Sequence, residues 1–155
     1  MKFRNRTVLF LATGFFTGTV PFAPGTFGSL IGLPLFFFLS HLNILRSFAW
    51  VLLFVIFSVW IASAAEKILN EEDSPRIVID EIAGMTVVFL GLPFNMITAG
   101  AGFLIFRIFD IWKPFPIRML ERKVRGGFGI VLDDVLAGVY ANLILRLIFA
   151  VQDWH

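Results

Sequence analysis

The chain has no cysteine, one tyrosine and two histidines, and only 15% of its 155 residues are charged. Without cysteine, disulfide scaffolds, zinc ribbons and cysteine-nucleophile phosphatase chemistry are excluded. There is no P-loop and no paired Asp-x-Asp-x-Thr nucleophile motif. The histidines, His41 and His155, stand away from every acidic cluster, which argues against a histidine nucleophile; His41 reads as interfacial and His155 as a solvated tail. A net charge of +2, from 13 basic and 11 acidic residues, is too small to make nucleic acid the main partner.

What is abundant is apolar. Hydrophobic residues make up 58% of the chain, 20 of them Phe, and the mean hydropathy is +0.87. Soluble domains run at about 45–50% apolar and about 25% charged, so this composition predicts a lipid bilayer as partner. No Asp, Glu, Lys or Arg occurs over 7–45, 47–65 or 82–106. Those runs approach or exceed the ~20 residues that cross a bilayer core. Lys2, Arg4 and Arg6 ahead of the first run imitate a signal peptide, but no small-residue cleavage site and soluble mature domain follow, so the segment is expected to be retained.

Gly, Pro and charge divide the apolar material into 28–42, 47–65, 82–90, 96–111 and 135–150. The expected fold is all-α, an integral membrane bundle of about four to five apolar segments in one domain over 1–155. Thr7–Val20 is an extra element that spans, re-enters or lies flat. The stretches 66–81 and 107–134 carry eight and ten charges; with the basic N-terminus they read as cytoplasmic, leaving 42–46 and 91–95 as outer turns.

Carboxylates enter the apolar segments instead of staying in the loops. Asp80 and Glu81 lead one segment, Asp110 sits near the end of another, and Asp133 and Asp134 lead a third. Asp80 and Asp134 both open an Asp-x-x-Ala-Gly sequence, which reads as a helix-capping carboxylate followed by a small pair that lets helices approach closely. Ionisable groups at membrane depth are costly and usually pair or bind something. Arg107, Asp110 and Lys113 recur every three residues, on one helical face, before Pro114 and Pro116 end the helix.

Two readings fit. In one, Asp80, Glu81, Asp110, Asp133 and Asp134 hold Mg²⁺, which favours hard oxygen ligands, while Arg107 and Lys113 counter a phosphate. In the other, the same residues are buried ion pairs that hold helices together. Five carboxylates exceed what two basic residues neutralise, which favours the first. Gly25, Thr26 and Ser29, in a Gly-containing turn that opens an apolar helix, either face an anion or cap the helix. Gly126-Gly127-Phe128-Gly129 is either a hinge or a close backbone approach to ligand. Trp112 reads as a packing or anchoring residue. Phe109, Phe115 and Met119 either shape a lipid entrance or simply pack, and the basic run 118–125 either holds anionic headgroups or follows the positive-inside tendency.

At these residues the chain resembles the phosphatidylglycerophosphatase A family. The resemblance covers about 12–142 and rests on four blocks in order: PFAPGTFGS at 21–29, IDEIAGM at 79–85, FRIFDIWKPFPI at 106–117, and GGFGI at 126–130 followed by Asp133, Asp134, Ala137 and Gly138. Phe16 departs from it, since the family's glycine-rich stretch has a small residue there. The resemblance implies a mainly helical, Mg²⁺-dependent lipid phosphatase of the bacterial inner membrane that converts phosphatidylglycerophosphate to phosphatidylglycerol and phosphate. On that basis the carboxylates form a cage for one or two Mg²⁺ ions on the cytoplasmic face, with Asp80, Asp110 and Asp133 as candidate catalytic groups. A phospho-aspartyl intermediate on one of those three is the enzymatic alternative to attack by water. A cation-binding or transport protein using the same acids, and a small assembly subunit with Gly84 and Gly138 as helix contacts, are the readings from other classes.

Overall fold

The computed structural model describes residues 3–152; His155 and Lys2 lie outside them. Among these residues the chain forms only helices: α1 Phe3–Ala12, α2 Pro24–Ser40, α3 Ile44–Leu69, α4 Ile79–Val88, α5 Met96–Trp112, α6 Ile117–Lys123 and α7 Gly126–Gln152, with a short 3₁₀ turn over Thr17–Thr19. The all-α expectation holds. Five of these helices, α2 to α5 and α7, correspond to the apolar segments read from the sequence. Ten residues make α1 about 15 Å long, too short to cross a hydrocarbon core.

Helix boundaries follow local chemistry. Asn43 caps α3, its side chain accepting from the Arg46 N–H at 2.9 Å, and Asn95 does the same for α5 through Thr98 at 2.7 Å. Asn70 ends α3 in the left-handed conformation, which Asn tolerates better than most residues. Two helices, α3 and α7, are long and apolar enough to cross a membrane. The outer face of α3 exposes Leu53 and Trp60 by 67% and 62%, as a lipid-facing surface would.

The centre of the bundle is α4. It is only 10 residues long, yet every one of them except Glu81 is buried. It packs most extensively on α7 and then on α2 and α3. One core joins Phe36 of α2, Met85 and Val88 of α4, Phe106 of α5 and Leu145 of α7, with Phe36 stacked on Phe89 at 3.9 Å. A second joins Val8 of α1, Ile61 and Ala65 of α3, Ile79 and Ala83 of α4 and Val131 of α7.

A short helix buried among others leaves carbonyls at its C-terminal end that need donors. Asn142 of α7 supplies them, its amide donating to Val88 O at 2.7 Å and Leu90 O at 3.1 Å, while Arg146 donates to Leu90 O at 2.8 Å. Small residues let the neighbours close in. A Cβ on Gly138 would lie 2.5 Å from the Gly84 carbonyl oxygen, and one on Gly84 would lie 2.8 Å from the Asp134 carbonyl oxygen. The expected small-pair approach is therefore the α4–α7 crossing.

Two sequence expectations are corrected by the backbone. The stretch 107–134 is not a loop: it contains α6, and α7 begins at Gly126. Asp133 and Asp134 therefore lie two turns inside α7 and do not cap it, whereas Asp80 does sit in the first turn of α4. The reason is packing: Gly127 abuts Ser63 and Val59 of α3, Gly129 abuts the Val124 carbonyl, and Ile130 and Val131 are buried behind them. The glycine cluster is thus a helix-packing surface. The Gly14–Gly18 stretch is likewise structural, since Gly14 faces the Val78 side chain and Gly18 faces the Arg76 carbonyl. Phe16 is tolerated there because it is 58% exposed.

Candidate active site

Where α4 and α7 cross, Asp80, Glu81 and Asp134 converge. Each offers a carboxylate oxygen, and these oxygens all lie within 4.8 Å of one another. Asp80 and Asp134 are buried and Glu81 is half-buried. Asp80 Oδ1 and Glu81 Oε2 are buried without any hydrogen-bond partner. Uncompensated carboxylate oxygens in a buried trio are costly and suit a hard cation, so these residues fit a divalent ion by the chemistry of their donors and by their orphaned atoms. The sequence reading named these three among five.

The other two carboxylates are already paired. Asp110 Oδ2 accepts from Arg107 Nη1 at 2.5 Å, one turn along α5. Asp133 Oδ2 accepts from Lys113 Nζ at 2.5 Å, and the same ammonium donates to Glu121 Oε1 at 2.7 Å. Asp133 keeps its second oxygen, Oδ1, buried and unpartnered. Asp110 and Asp133 thus form the buried ion pairs of the second reading, whereas Asp80, Glu81 and Asp134 form no salt bridge among the described residues.

Lys113 leaves the line of α5 by adopting a left-handed conformation as its C-cap, with φ 47°, its N–H donating to Phe109 O at 2.8 Å. That turn carries the side chain across to α6 and α7. Burial acts to lower the Lys113 pKa, but the hydrogen bonds to Asp133 and Glu121 outweigh it and hold the ammonium well above the usual lysine value. It is a permanent cation at the edge of the acidic centre.

The N-terminal turn of α2 closes the opposite side. Gly25, Gly28 and Gly32 line the face of α2 that meets α4, standing against Glu81, Val78 and Met85 respectively. A Cβ on Gly25 would run into the Glu81 carboxylate and lie 3.3 Å from Arg107 Nη1. Arg107 Nη1 donates to Ser29 Oγ at 3.4 Å, and Ser29 Oγ donates to Gly25 O at 2.8 Å. Neither Thr26 nor Ser29 caps α2, whose N-cap is Ala23 without a side-chain hydrogen bond. Thr26 is half-buried in the first turn. Gly25 and Ser29 of α2, Glu81 of α4 and Arg107 of α5 thus meet at one place from three separate stretches of the chain.

Glu121 was not anticipated as part of the site. In the sequence it is one charge among ten in 107–134, and the helical placement of 117–123 is what brings it to Lys113. Phe109 packs edge-on against Tyr140 with ring centroids 5.4 Å apart, whereas Phe115 is exposed. Trp112 is 64% exposed, its carbonyl accepting from Arg118 at 3.0 Å.

Fold and site together define an all-helical, membrane-associated protein organised around a buried acidic centre flanked by one arginine and one lysine. The family model described as phosphatidylglycerophosphatase A matches residues 10–149, and the chain belongs to that family. It is 40% identical over 139 residues to a phosphatidylglycerophosphatase A of Escherichia coli K12, covering 89% of this chain and 81% of that one. A phosphatidylglycerophosphatase A of Haemophilus influenzae is 38% identical, covering 93% and 88%. A Bacteroides thetaiotaomicron protein provisionally named as a phosphatidylinositol-3-phosphatase is 39% identical, covering 95% and 96%. No solved structure matches the chain significantly. These relationships make it a phosphatase, a phosphoric monoester hydrolase.

Proposed function

We propose that the protein removes the terminal phosphate of phosphatidylglycerophosphate to give phosphatidylglycerol and phosphate, with Mg²⁺ as cofactor, at the cytoplasmic face of the bacterial inner membrane. The observation that carries the metal-dependent chemistry is the trio Asp80, Glu81 and Asp134, which forms no salt bridge among the described residues, while Arg107 meets Glu81 at Gly25 and Lys113 holds the adjoining Asp133. The choice of headgroup is supported by the two phosphatidylglycerophosphatase A relatives. The cytoplasmic assignment is supported by the Lys and Arg of the charged stretches 66–81 and 107–134, with α3 and α7 as membrane spans.

In this reading Asp80, Glu81 and Asp134 hold the ion, which when bound neutralises phosphoryl charge and makes water a better nucleophile near neutral pH. Arg107, fixed by Asp110 and Ser29, presents its remaining donors to the phosphoryl oxygens. Gly25 leaves room for the phosphate beside Glu81, where any side chain would fill the space. Asp133 takes the proton of the attacking water at Oδ1, the oxygen that has no partner, while Lys113 holds Oδ2 still. A new P–O bond forms to water, the ester P–O bond breaks, and the released glycerol oxygen takes up the proton that Asp133 accepted, which restores the carboxylate.

Phosphate release by the purified protein in detergent micelles tests this, using phosphatidylglycerophosphate, phosphatidylinositol 3-phosphate and phosphatidic acid in parallel, each with Mg²⁺ and with chelator. Metal-dependent release fastest with phosphatidylglycerophosphate, and lost in folded Asp134→Asn, is expected. Preference for phosphatidylinositol 3-phosphate would replace the headgroup assignment with that of the Bacteroides relative. No release from any ester by folded protein would favour cation binding or transport. Oxygen-18 from water appearing in phosphate in a single turnover distinguishes direct attack from a phospho-aspartyl intermediate.

A further inference from the structure

A cleft of about 550 Å³ opens beside α6, bordered by Lys113, Arg118, Arg122 and Lys123 with Trp112 and Phe115. No carboxylate lines it among the described residues. Arg118, Arg122 and Lys123 form no salt bridge among those residues, and Lys113 is the one cation of the four that does. Trp112 and Phe115 are 64% and 77% exposed, so the cationic cleft has an apolar aromatic border. A second, smaller cleft of about 200 Å³ is lined by the carboxylates Glu66, Glu72, Asp73, Glu121 and Asp133 together with Arg122 and Arg125. Arg122 borders both clefts, and Lys113 borders the first while donating to Asp133 in the second.

Uncompensated cations beside exposed aromatic rings complement an anionic group attached to lipid: the charge meets Arg and Lys, and the rings sit at the headgroup level. We propose that this cleft binds the phosphodiester of an anionic glycerophospholipid, held by Arg122 and Lys123 with Arg118. Resting on the function proposed above, the phosphodiester is the substrate's own internal one. The terminal monoester is then directed toward Lys113, whose ammonium holds Asp133, the neighbour of Asp134 in α7. Such a subsite favours lipids with a phosphodiester in addition to the scissile monoester over simple phosphate monoesters.

The test compares wild type with Arg122→Gln/Lys123→Gln and with Arg4→Gln/Arg6→Gln, which removes two exposed charges elsewhere. Dihexanoyl phosphatidylglycerol, which has the diester but no monoester, is titrated calorimetrically into each protein in maltoside micelles. Helix content by circular dichroism confirms folding. The α6 variant is expected to bind about tenfold more weakly, with the α1 variant unchanged. The KM for phosphatidylglycerophosphate should rise in step while kcat is preserved. Equal affinity in all three proteins would overturn the proposal, and so would equal weakening in both variants, which would show only general surface charge. Wild type that hydrolyses nothing but binds through Arg122 and Lys123 would remove the phosphatase reading and leave the cleft. Normal hydrolysis with binding indifferent to those residues would do the reverse.

Discussion

Lys113 Nζ lies 2.5 Å from Asp133 Oδ2, so a side chain at the end of α5 reaches the second turn of α7. The same ammonium engages Glu121 on α6, and three helices meet at one cation. Lys113→Met would leave Asp133 buried without its counterion, and the expected loss is about 2–4 kcal/mol of stability, read by thermal unfolding. The pH dependence follows from the sign of the shift. A raised folded-state pKa gives stabilisation that is complete below the unfolded lysine value of about 10.4 and is lost only as pH rises through the higher folded value. The difference in melting temperature between wild type and Lys113→Met should therefore stay flat from about pH 7.5 to 9.5.

The acidic trio makes opposite predictions with and without metal. Three carboxylates with oxygens within 4.8 Å repel one another when nothing is bound. In chelator, Glu81→Gln or Asp134→Asn should raise the melting temperature, by the equivalent of about 1–3 kcal/mol. With Mg²⁺ the order should reverse, because wild type alone gains the full stabilisation of ligand binding. Scanning calorimetry in both buffers reads this without any assay of activity. Wild-type stability indifferent to Mg²⁺ would count against the trio as its site.

Gly138 meets the Gly84 carbonyl with no room for a methyl group. Gly138→Ala should cost about 1–3 kcal/mol through overpacking. Because the displaced helices carry Asp80 and Asp134, phosphate release should fall further than unfolding alone explains. The comparison is activity per folded molecule at a temperature well below the transition.

Asn142 provides a control of the opposite kind. Replacing it with Leu removes the amide that donates to Val88 and Leu90; Arg146 still serves the Leu90 carbonyl, so the buried Val88 carbonyl loses its side-chain donor, at about 1–3 kcal/mol. The residue lies two turns beyond Asp134 along α7, so turnover per folded molecule is expected to stay near wild type. A melting curve and a rate measured together separate this outcome from that of Gly138→Ala.

Much of the helical layout was legible because lipid-facing helices need long uncharged runs, and charge and Gly-Pro turns interrupt them at recognisable places. The acids were conspicuous for the same reason: Asp80, Asp110 and Asp134 stand against an apolar background. What pairs with what was not legible. Arg107 and Asp110 advertise their pairing through helical spacing, but Lys113 meets Asp133 only because its backbone turns left-handed, a conformation no local pattern at a lysine predicts. The start of α7 was hidden for a related reason. Gly126, Gly127 and Gly129 are poor helix formers, and they become helical through contact with α3 and the Val124 carbonyl, a tertiary gain that outweighs propensity. Gly25, read as part of an anion-binding turn, does reach the site, but its partner there is the Glu81 carboxylate.

The contact between Gly84 and Gly138 joins main chain to main chain, with no flexible side chain between the two helices that carry the acids. Backbone shape thus sets how closely the two helix segments that carry Asp80 and Asp134 approach, and it works as a gauge between them. Bilayers of different thickness or fluidity act on the exposed outer faces of α3 and α7, whereas this contact is buried main chain on the inner side of α7. With a divalent ion held by these acids as proposed above, discrimination among such ions should stay the same when the protein is moved between lipids, even where its rate changes.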